Sequence, residues 1–234
     1  FLGQTNILRV GEAIGSFYGM VRLGTYSTDE AAEAAAHGLK PGDRKYIYNA
    51  DGSNYYTIIG HANPDWTGTF SSTITYKNWD FSFDIRFVQG VNTAATFKHS
   101  SEDRQTIANS LATVLNAWTP DHQNTMISQV RNYKFAQDSH FDTWWVEDGS
   151  FLRGQNFILG YSLPANLTHK LKINRLRFYA SVQNLFLITK YTGYDPEVDT
   201  FNSSYGNNGS FSQNLDFFSY PRPRVWNLGL TLNF

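Results

Sequence analysis

The chain has 234 residues, a formal net charge of -1 at pH 7 and no cysteine. The balanced charge argues against a nucleic-acid partner, and the lack of cysteine excludes disulfides, thiolate metal ligands and a thiol nucleophile. Aromatic residues make up 16% of a sequence with a mean hydropathy of -0.41, so apolar and polar side chains must be segregated along strands. No stretch approaches the roughly 20 apolar residues of a membrane-spanning helix, which excludes a helical membrane protein but not a β-barrel.

The first predicted element is a weakly alternating strand in AIGSFYGMVRLGTY. A long connection of about Ser27–Asp65 follows, in which the Ala-rich DEAAEAAAHGLK predicts a short helix.

Two strongly alternating segments then predict a β-hairpin. WTGTFSSTITY and WDFSFDIRF are joined only by Lys77–Asn78. Large apolar side chains share one face of each strand, and hydroxyl or charged side chains share the other. The apolar set is Trp66, Phe70, Ile74, Tyr76, Trp79, Phe81, Phe83, Ile85 and Phe87.

A second long connection, about Asn92–Gly149, leads to a second predicted hairpin. In this connection RQTIANSLATVLNAW places Ile107, Leu111, Leu115 and Trp118 on one face of a predicted helix. The hairpin strands are SFLRGQNFILGYSLP and RLRFYASVQNLFLIT, joined by about Ala165–Asn174. Their apolar faces carry Phe157, Leu159, Tyr161 and Leu163, and Leu176, Phe178, Ala180 and Val182.

A third long connection, about Gly193–Pro223, precedes the final strand RVWNLGLTLNF. Its even-numbered residues Trp226, Leu228, Leu230, Leu232 and Phe234 are all apolar. Short turns on one side and long loops on the other are typical of an outer-membrane barrel. Six strands cannot close such a barrel, so we expect an all-β, antiparallel arc of a larger barrel, with short helices in its extracellular loops. The alternative is a soluble β-sandwich, such as a surface carbohydrate-binding protein.

Several stretches together resemble one family. WWVEDGSFLRGQNFILGYSLP, LRFYASVQNLFLITKYTGYDPEV and YPRPRVWNLGLTLNF occur in this order, with IGHANPDWTGTFSSTITYKNWDFSFDIRF upstream. They are similar to the C-terminal part of SusC/RagA-family TonB-dependent transporters. The resemblance implies a 22-stranded barrel in the outer membrane of a Bacteroidetes-type bacterium, with a periplasmic C-terminus. The plug domain and the remaining strands would lie outside residues 1–234.

The resemblance also implies partners and a function. The family imports oligosaccharides or peptides with energy from TonB–ExbB–ExbD, beneath a SusD-like surface lipoprotein. Trp226, Leu228, Leu230, Leu232 and Phe234 resemble the signal read by the barrel-assembly machinery. Where many members carry an acidic loop, this chain has RKYIYNADGSNYYT with Tyr48 in place of an acid and Asp51 nearly alone. We therefore expect a turn and no metal there.

No catalytic motif is present, so we expect no enzymatic activity and no cofactor. Asp195 and Glu197 in GYDPEV are expected to fix a loop rather than to act in catalysis. Substrate contact is assigned to aromatic residues at the outer strand ends and loops, with packing against the loops or the lid as the alternative: Trp144, Trp145, Tyr191, Tyr194, Phe217, Phe218 and Tyr220. The lumen-facing set, expected to pair with the plug, is Arg175, Arg177, Tyr179 and Gln183.

Overall fold

A computed structural model describes residues 5–102, 109–131, 140–169, 172–198 and 213–233 of the chain. The described residues divide into two compact units. The loop unit comprises Phe1–Asn63, Asn92–Asp148 and Glu197–Ser219, and the sheet unit comprises Pro64–Val91, Gly149–Pro196 and Tyr220–Phe234. None of the helices in the described ranges is both long enough and apolar enough to cross a bilayer.

The sheet unit is built on one antiparallel sheet of five long strands. Numbered in chain order through the whole molecule, these strands are β6 (Trp66–Tyr76), β7 (Trp79–Gln89), β10 (Phe151–Ser162), β11 (Arg175–Thr189) and β12 (Val225–Asn233). Their order across the sheet is β12-β11-β10-β7-β6, so the two predicted hairpins lie side by side. The predicted strand-rich fold, with short helices in the connections, is confirmed.

Each face of this sheet has one chemical character because the register keeps like residues opposite one another. Phe83 pairs with Phe157, which pairs with Val182, and Asp80 pairs with Gly160, which pairs with Tyr179. The large apolar side chains are not covered, and twelve of them are more than a third exposed: Trp66, Phe70, Ile74, Tyr76, Trp79, Leu159, Phe178, Ile188, Trp226, Leu228, Leu230 and Leu232. A sandwich would bury this face, so the structure does not support that alternative.

A β-bulge changes the alternation of β10. Gly154 pairs with Ile85 and Asn156 with Asp84, which leaves Gln155 as an extra residue between them. Odd-numbered residues of β10 lie on the apolar face between the bulge and Ser162, whereas even-numbered residues do so on the other side. The extra residue therefore places Arg153 on the polar face of the sheet.

The loop unit contains the short elements. Its strands are β1 (Asn6–Ile7), β2 (Ser16–Met20), β3 (Arg22–Thr25), β4 (Arg44–Tyr46), β5 (Tyr56–His61), β8 (Asn92–Ala94) and β9 (Val146–Asp148). Its helices are α1 (Ala31–Ala36), preceded by a 3₁₀ turn at Thr28–Glu30, and α2 (Phe97–Glu102), with a further 3₁₀ turn at Ala112–Asn116. A third short helix, α3 (Ala165–Thr168), belongs to the sheet unit and lies in the short connection between β10 and β11.

Two sequence-based expectations differ from the structure of the loop unit. The opening strand divides into β2 and β3, and β2 pairs with β1 and β5 instead of joining the five-stranded sheet. The reason is that Phe17 and Met20 of β2 are completely buried in the loop unit. The helix expected along Ile107–Trp118 can be checked only from residue 109 onward, since Ile107 lies outside the described residues. Residues 109–118 contain only the 3₁₀ turn Ala112–Asn116, and Leu115 is 89% exposed.

Candidate functional site

The polar face of the five-stranded sheet carries an ion pair that spans three strands. Arg177 of β11 donates from Nε to Oδ1 of Asp80 on β7 at 2.9 Å, and its second nitrogen donates to Oδ2. Strand β10 lies between the two, and it passes beneath the pair at Gly160. A Cβ built on Gly160 would lie 2.5 Å from Oδ2 of Asp80 and closer still to the guanidinium group. The absence of a side chain at this position is therefore what makes room for the pair.

The other residues predicted to face the lumen share this polar face. The guanidinium group of Arg177 lies 5.4 Å from the ring centre of Tyr179. The ring of Tyr179 in turn occupies the space above Gly229 of β12. Arg175 approaches the hydroxyl of Ser162 at 3.4 Å. Arg177 thus has a carboxylate partner within its own sheet, which the sequence did not indicate, while its pairing with a plug remains a prediction.

Gln183 and Asn156 stand opposite each other further along the same face. Asn156 donates to Oδ2 of Asp84 at 3.1 Å, and Gln183 is exposed. Asp80 and Asp84 of β7 therefore each have a hydrogen-bond donor from another strand of the sheet. Such bonds satisfy polar groups on the sheet and hold the strands in register.

The far end of the polar face, beyond the bulge, is closed by a buried ion pair. Arg153 donates to Oδ1 of Asp195 at 2.6 Å, and both side chains are almost fully buried. Phe151 packs in an apolar cluster with Val88 and Val91, against which Leu187 also lies. Asp195 thus holds the segment after β11 against the sheet, as expected for a loop-fixing carboxylate.

The aromatic residues assigned to substrate contact in the sheet unit differ in accessibility. Tyr191 is 5% exposed, so its assignment as a contact residue is wrong: the side chain is buried, and its ring packs beside Gly193. Tyr194 is 78% exposed and Tyr220 is 96% exposed. Only the latter two can contact a ligand without rearrangement.

In the loop unit, Trp145 is the largest completely enclosed side chain. It is 1% exposed and packs with Phe17, Phe141 and Leu215 in the core of the unit. Because Trp145 is buried, its assignment to substrate contact is wrong. Adjacent residues of an irregular segment point in different directions, and the sequence does not reveal which of the two indoles is buried.

The neighbouring Trp144 is held by polar partners. Its indole nitrogen donates to Oε2 of Glu102 at 2.7 Å, and the ammonium group of Lys98 lies 4.4 Å from its ring centre. Lys98 also pairs with Glu147 at 2.7 Å. These contacts involve α2, which the sequence analysis missed because FKHSSE has no apolar periodicity.

Phe217 and Phe218 lie on a segment fixed to the loop unit by backbone hydrogen bonds. The amide of Phe97 donates to the carbonyl of Asp216 at 3.1 Å. Phe218 has a φ of 57° and is 56% exposed, and its ring meets that of Phe217 edge-on. A left-handed backbone is costly for a bulky residue, so the fold maintains this exposed aromatic position against local strain.

A buried network centred on Asp142 organises the loop unit. Arg22 donates through Nε to Oδ2 of Asp142 at 2.8 Å, and the Tyr46 hydroxyl donates to the same oxygen at 3.1 Å. Arg22 also donates to the carbonyl of Met126 at 2.9 Å. These groups come from segments up to 120 residues apart, and no sequence motif predicts that they form a network.

The stretch around Asp51 forms a turn, as expected. Its Oδ1 accepts hydrogen bonds from the amide and hydroxyl of Ser53, which hold the pKa of the Asp51 carboxyl below its usual value. Gly52 supplies the left-handed residue of the turn, with a φ of 82°. Within the described ranges, no three or more His, Asp or Glu side chains are grouped so that they could hold a metal ion.

Strand β12, which carries the residues assigned to the barrel-assembly signal, is the edge of the described sheet. It pairs with β11 along Val225–Asn233. The side chains of Trp226, Leu228, Leu230 and Leu232 are exposed on the apolar face, and Phe234 lies outside the described residues.

Comparison with known proteins shows which of them have a similar sequence. No profile of a known protein family matches the chain. TonB-dependent receptor P3 of Formosa agariphila is 34% identical over 241 residues, covering 99% of this chain and 23% of the receptor. TonB-dependent receptor SusC of Bacteroides thetaiotaomicron is 29% identical over 232 residues, covering 97% of this chain and 20% of SusC.

Solved structures of transporters have a fold similar to that of this chain. The RagAB peptide transporter matches the whole chain with a TM-score of 0.71 and 24% identity, over 25% of its own chain. The closed-closed state of the RagAB peptide importer matches with a TM-score of 0.67. The chain spans about a quarter of the length of the relatives it matches. Over that part, the chain is similar in sequence to TonB-dependent receptors, SusC among them, and similar in fold to the RagAB peptide transporter.

Proposed function

We propose that the chain is part of the wall of an active outer-membrane importer that takes up oligosaccharides or peptides. The observation that carries this proposal is the five-stranded sheet with an uncovered apolar face on one side and a hydrogen-bonded polar face on the other. An apolar face of this kind is stable against lipid acyl chains, and a polar face suits a water-filled or plugged lumen. The relatives named as TonB-dependent receptors support the same reading.

The proposed importer draws energy from TonB–ExbB–ExbD through a plug, and a SusD-like lipoprotein covers its extracellular mouth. The short connections β6–β7 and β10–β11 then lie on the periplasmic side, together with the C-terminus. Tyr194, Phe218 and Tyr220 are the candidate substrate contacts, because they are exposed aromatic groups on the segments that follow β11 or precede β12. Flat aromatic groups suit either sugar rings or peptide side chains.

The test begins with outer membranes of the source bacterium, extracted with detergent and separated on a gel with and without heating. We expect the chain to occur in a heat-modifiable species that enters the detergent fraction and not the buffer fraction. Uptake of labelled oligosaccharides and peptides is then compared between the parent strain and a strain lacking the gene. A chain found only in the buffer fraction, or uptake of both substrate classes unchanged by the deletion, would refute the proposal.

A further inference from the structure

A hollow opens on the polar face of the five-stranded sheet, at the end where β6 turns into β7. Its volume is about 440 Å³, and its lining comes from four neighbouring strands and the turn. Side chains of the polar face contribute to it on each of these strands: Thr75, Asp80, Ser162, Arg175 and Arg177. The ion pair between Arg177 and Asp80 therefore forms part of the wall of the hollow.

The hollow carries a net positive charge. Arg175 is exposed and has no carboxylate partner among the residues that the structure describes. Its guanidinium group lies 3.4 Å from the hydroxyl of Ser162, which is neutral. Two guanidinium groups and one carboxylate leave one positive charge. Lys77 also lines the hollow but is left out of this count, because its ammonium group lies 5.3 Å from the ring of Tyr76, which belongs to the apolar face.

The hydrogen-bond donors of the hollow exceed its acceptors. Arg177 uses Nε and Nη2 on the two oxygens of Asp80, and within the described ranges its third nitrogen, Nη1, makes no hydrogen bond. A guanidinium group offers N–H donors and no acceptor. A ligand that completes this site must therefore bring acceptors and one negative charge. A carboxylate has both, and its hydrogen bonds to guanidinium groups are among the stronger ones in proteins.

The position of the hollow indicates where such a carboxylate comes from. The hollow lies on the face assigned above to the lumen, at the end of the sheet with the short connections. The candidate substrate contact Tyr194 follows the opposite end of β11, Arg175–Thr189. The chain also covers only 23% of receptor P3, so most of a protein of that size lies outside residues 1–234. A plug that fills the lumen would belong to this remainder and would lie against the polar face.

We propose that the hollow binds an acidic side chain of the plug, with its carboxylate between Arg175 and Nη1 of Arg177. This inference rests on the proposed function, because it requires a plug in the lumen. It goes further by giving the partner an acidic character and a single position on the sheet. Of the four residues expected to pair with the plug, Arg175 supplies the unpaired charge and Arg177 one nitrogen. Tyr179 and Gln183 do not line the hollow.

The experiment is carbodiimide cross-linking of the detergent-extracted transporter that contains this chain. The reagent joins an amine directly to a carboxylate in contact with it, and mass spectrometry of the digested protein identifies the two residues. The test variant is Arg175→Lys, which keeps the charge and places an amine in the hollow. Lys77→Arg is introduced into every protein tested, because it removes the native amine that lines the hollow. Heat modifiability verifies that each variant is folded.

The matched control is Gln183→Lys, which places an amine on the same strand and the same face outside the hollow. We expect Arg175→Lys to form an amide with an aspartate or glutamate of the plug. The yield should exceed that of the control by about two- to fivefold, as expected for a partly exposed ion pair. Sodium chloride at about 1 M should reduce this excess, because it screens exposed charges.

Four results would overturn the inference. The amine introduced by Arg175→Lys may link to Asp80 alone, to another barrel strand or to no carboxylate. Its yield may equal that of Gln183→Lys. The yield may be unchanged in high salt. Finally, isotope-labelled acetate in the buffer may couple to this amine in place of a protein carboxylate, which would assign the hollow to free carboxylates.

The outcome separates this inference from the proposed function. A chain recovered only from the buffer fraction refutes the importer itself. A detergent-extracted protein that imports substrate normally, yet gives no cross-link between the hollow and the plug, refutes only the carboxylate site.

Discussion

Gly160 offers the sharpest test of how the polar face is held together. The change to alanine adds one methyl group at a position where β10 passes beneath the pair formed by Arg177 and Asp80. A Cβ there would lie 2.5 Å from Oδ2 of Asp80, whereas ordinary van der Waals contacts begin near 3.4 Å. Both ion-pair partners must therefore move by about an ångström or separate.

The expected magnitude follows from two opposing effects. Overpacking of a filled position costs about 1 to 3 kcal/mol, and the lost pair adds at most about 1 kcal/mol because its side chains are partly exposed to water. Alanine in a strand is favoured over glycine by about 0.5 to 1 kcal/mol. We therefore expect Gly160→Ala to lower the free energy of unfolding by about 1 to 2 kcal/mol.

The assay is urea unfolding of the detergent-extracted protein, followed by loss of the unheated, fast-migrating gel band. The same substitution is repeated in a protein that already carries Arg177→Ala and Asp80→Ala, where the side chains that oppose the new methyl group are gone. In that background alanine should be neutral or stabilising by about 0.5 to 1 kcal/mol. Equal destabilisation in both backgrounds would show that the ion pair does not explain the glycine.

Three further outcomes are expected from other parts of the chain. Asp142→Asn should destabilise the loop unit by about 3 kcal/mol or more, seen as faster limited proteolysis, because it removes the carboxylate charge that pairs with the buried guanidinium group of Arg22. Trp145→Ala should cost about 3 to 5 kcal/mol of stability, whereas Tyr220→Ala should stay within about 0.5 kcal/mol and lower substrate binding; the reverse pattern contradicts the assignment of core and contact residues. The hydrogen bond from Lys45 holds the pKa of the Glu30 carboxyl below its usual 4.5, so its stabilisation is full above that pH and is lost as the pH falls through the lowered value. Hydrogen exchange of α1 should therefore rise more on acidification in the parent protein than in Lys45→Met.

The long strands could be predicted because their environments repeat every second residue. WDFSFDIRF places five large apolar groups on one face, and the observed strand Trp79–Gln89 extends the prediction by only two residues. The hairpin with Trp66–Tyr76 also followed, since only Lys77 and Asn78 separate the two strands.

The loop unit could not be predicted in the same way because its stability depends on contacts distant in sequence. Strand β5, Tyr56–His61, shows no clear alternation and is fixed by pairing with β2. The bond between Arg22 and Asp142 joins residues 120 positions apart. Such pairings depend on how the segments pack, and local residue patterns carry no signal for them.

In the candidate site, too, residues on long strands could be predicted and residues on irregular segments could not. Periodicity alone placed Arg177 and Tyr179 on the polar face, because strand geometry fixes the direction of each side chain. It could not distinguish Trp144 from Trp145, or Tyr191 from Tyr194, since irregular segments have no fixed period.

Gln155 reverses which residues of β10 lie on the apolar face of the sheet. From Ser162 to the bulge one parity of residue number meets the apolar side, and from the bulge to Phe151 the other parity does. Deletion of this single residue would remove the reversal and rotate the guanidinium group of Arg153 away from Asp195 and onto the apolar side. One inserted residue thus lets a continuous strand keep its apolar side chains on one face of the sheet and still place the charge of Arg153 on the polar face near its end.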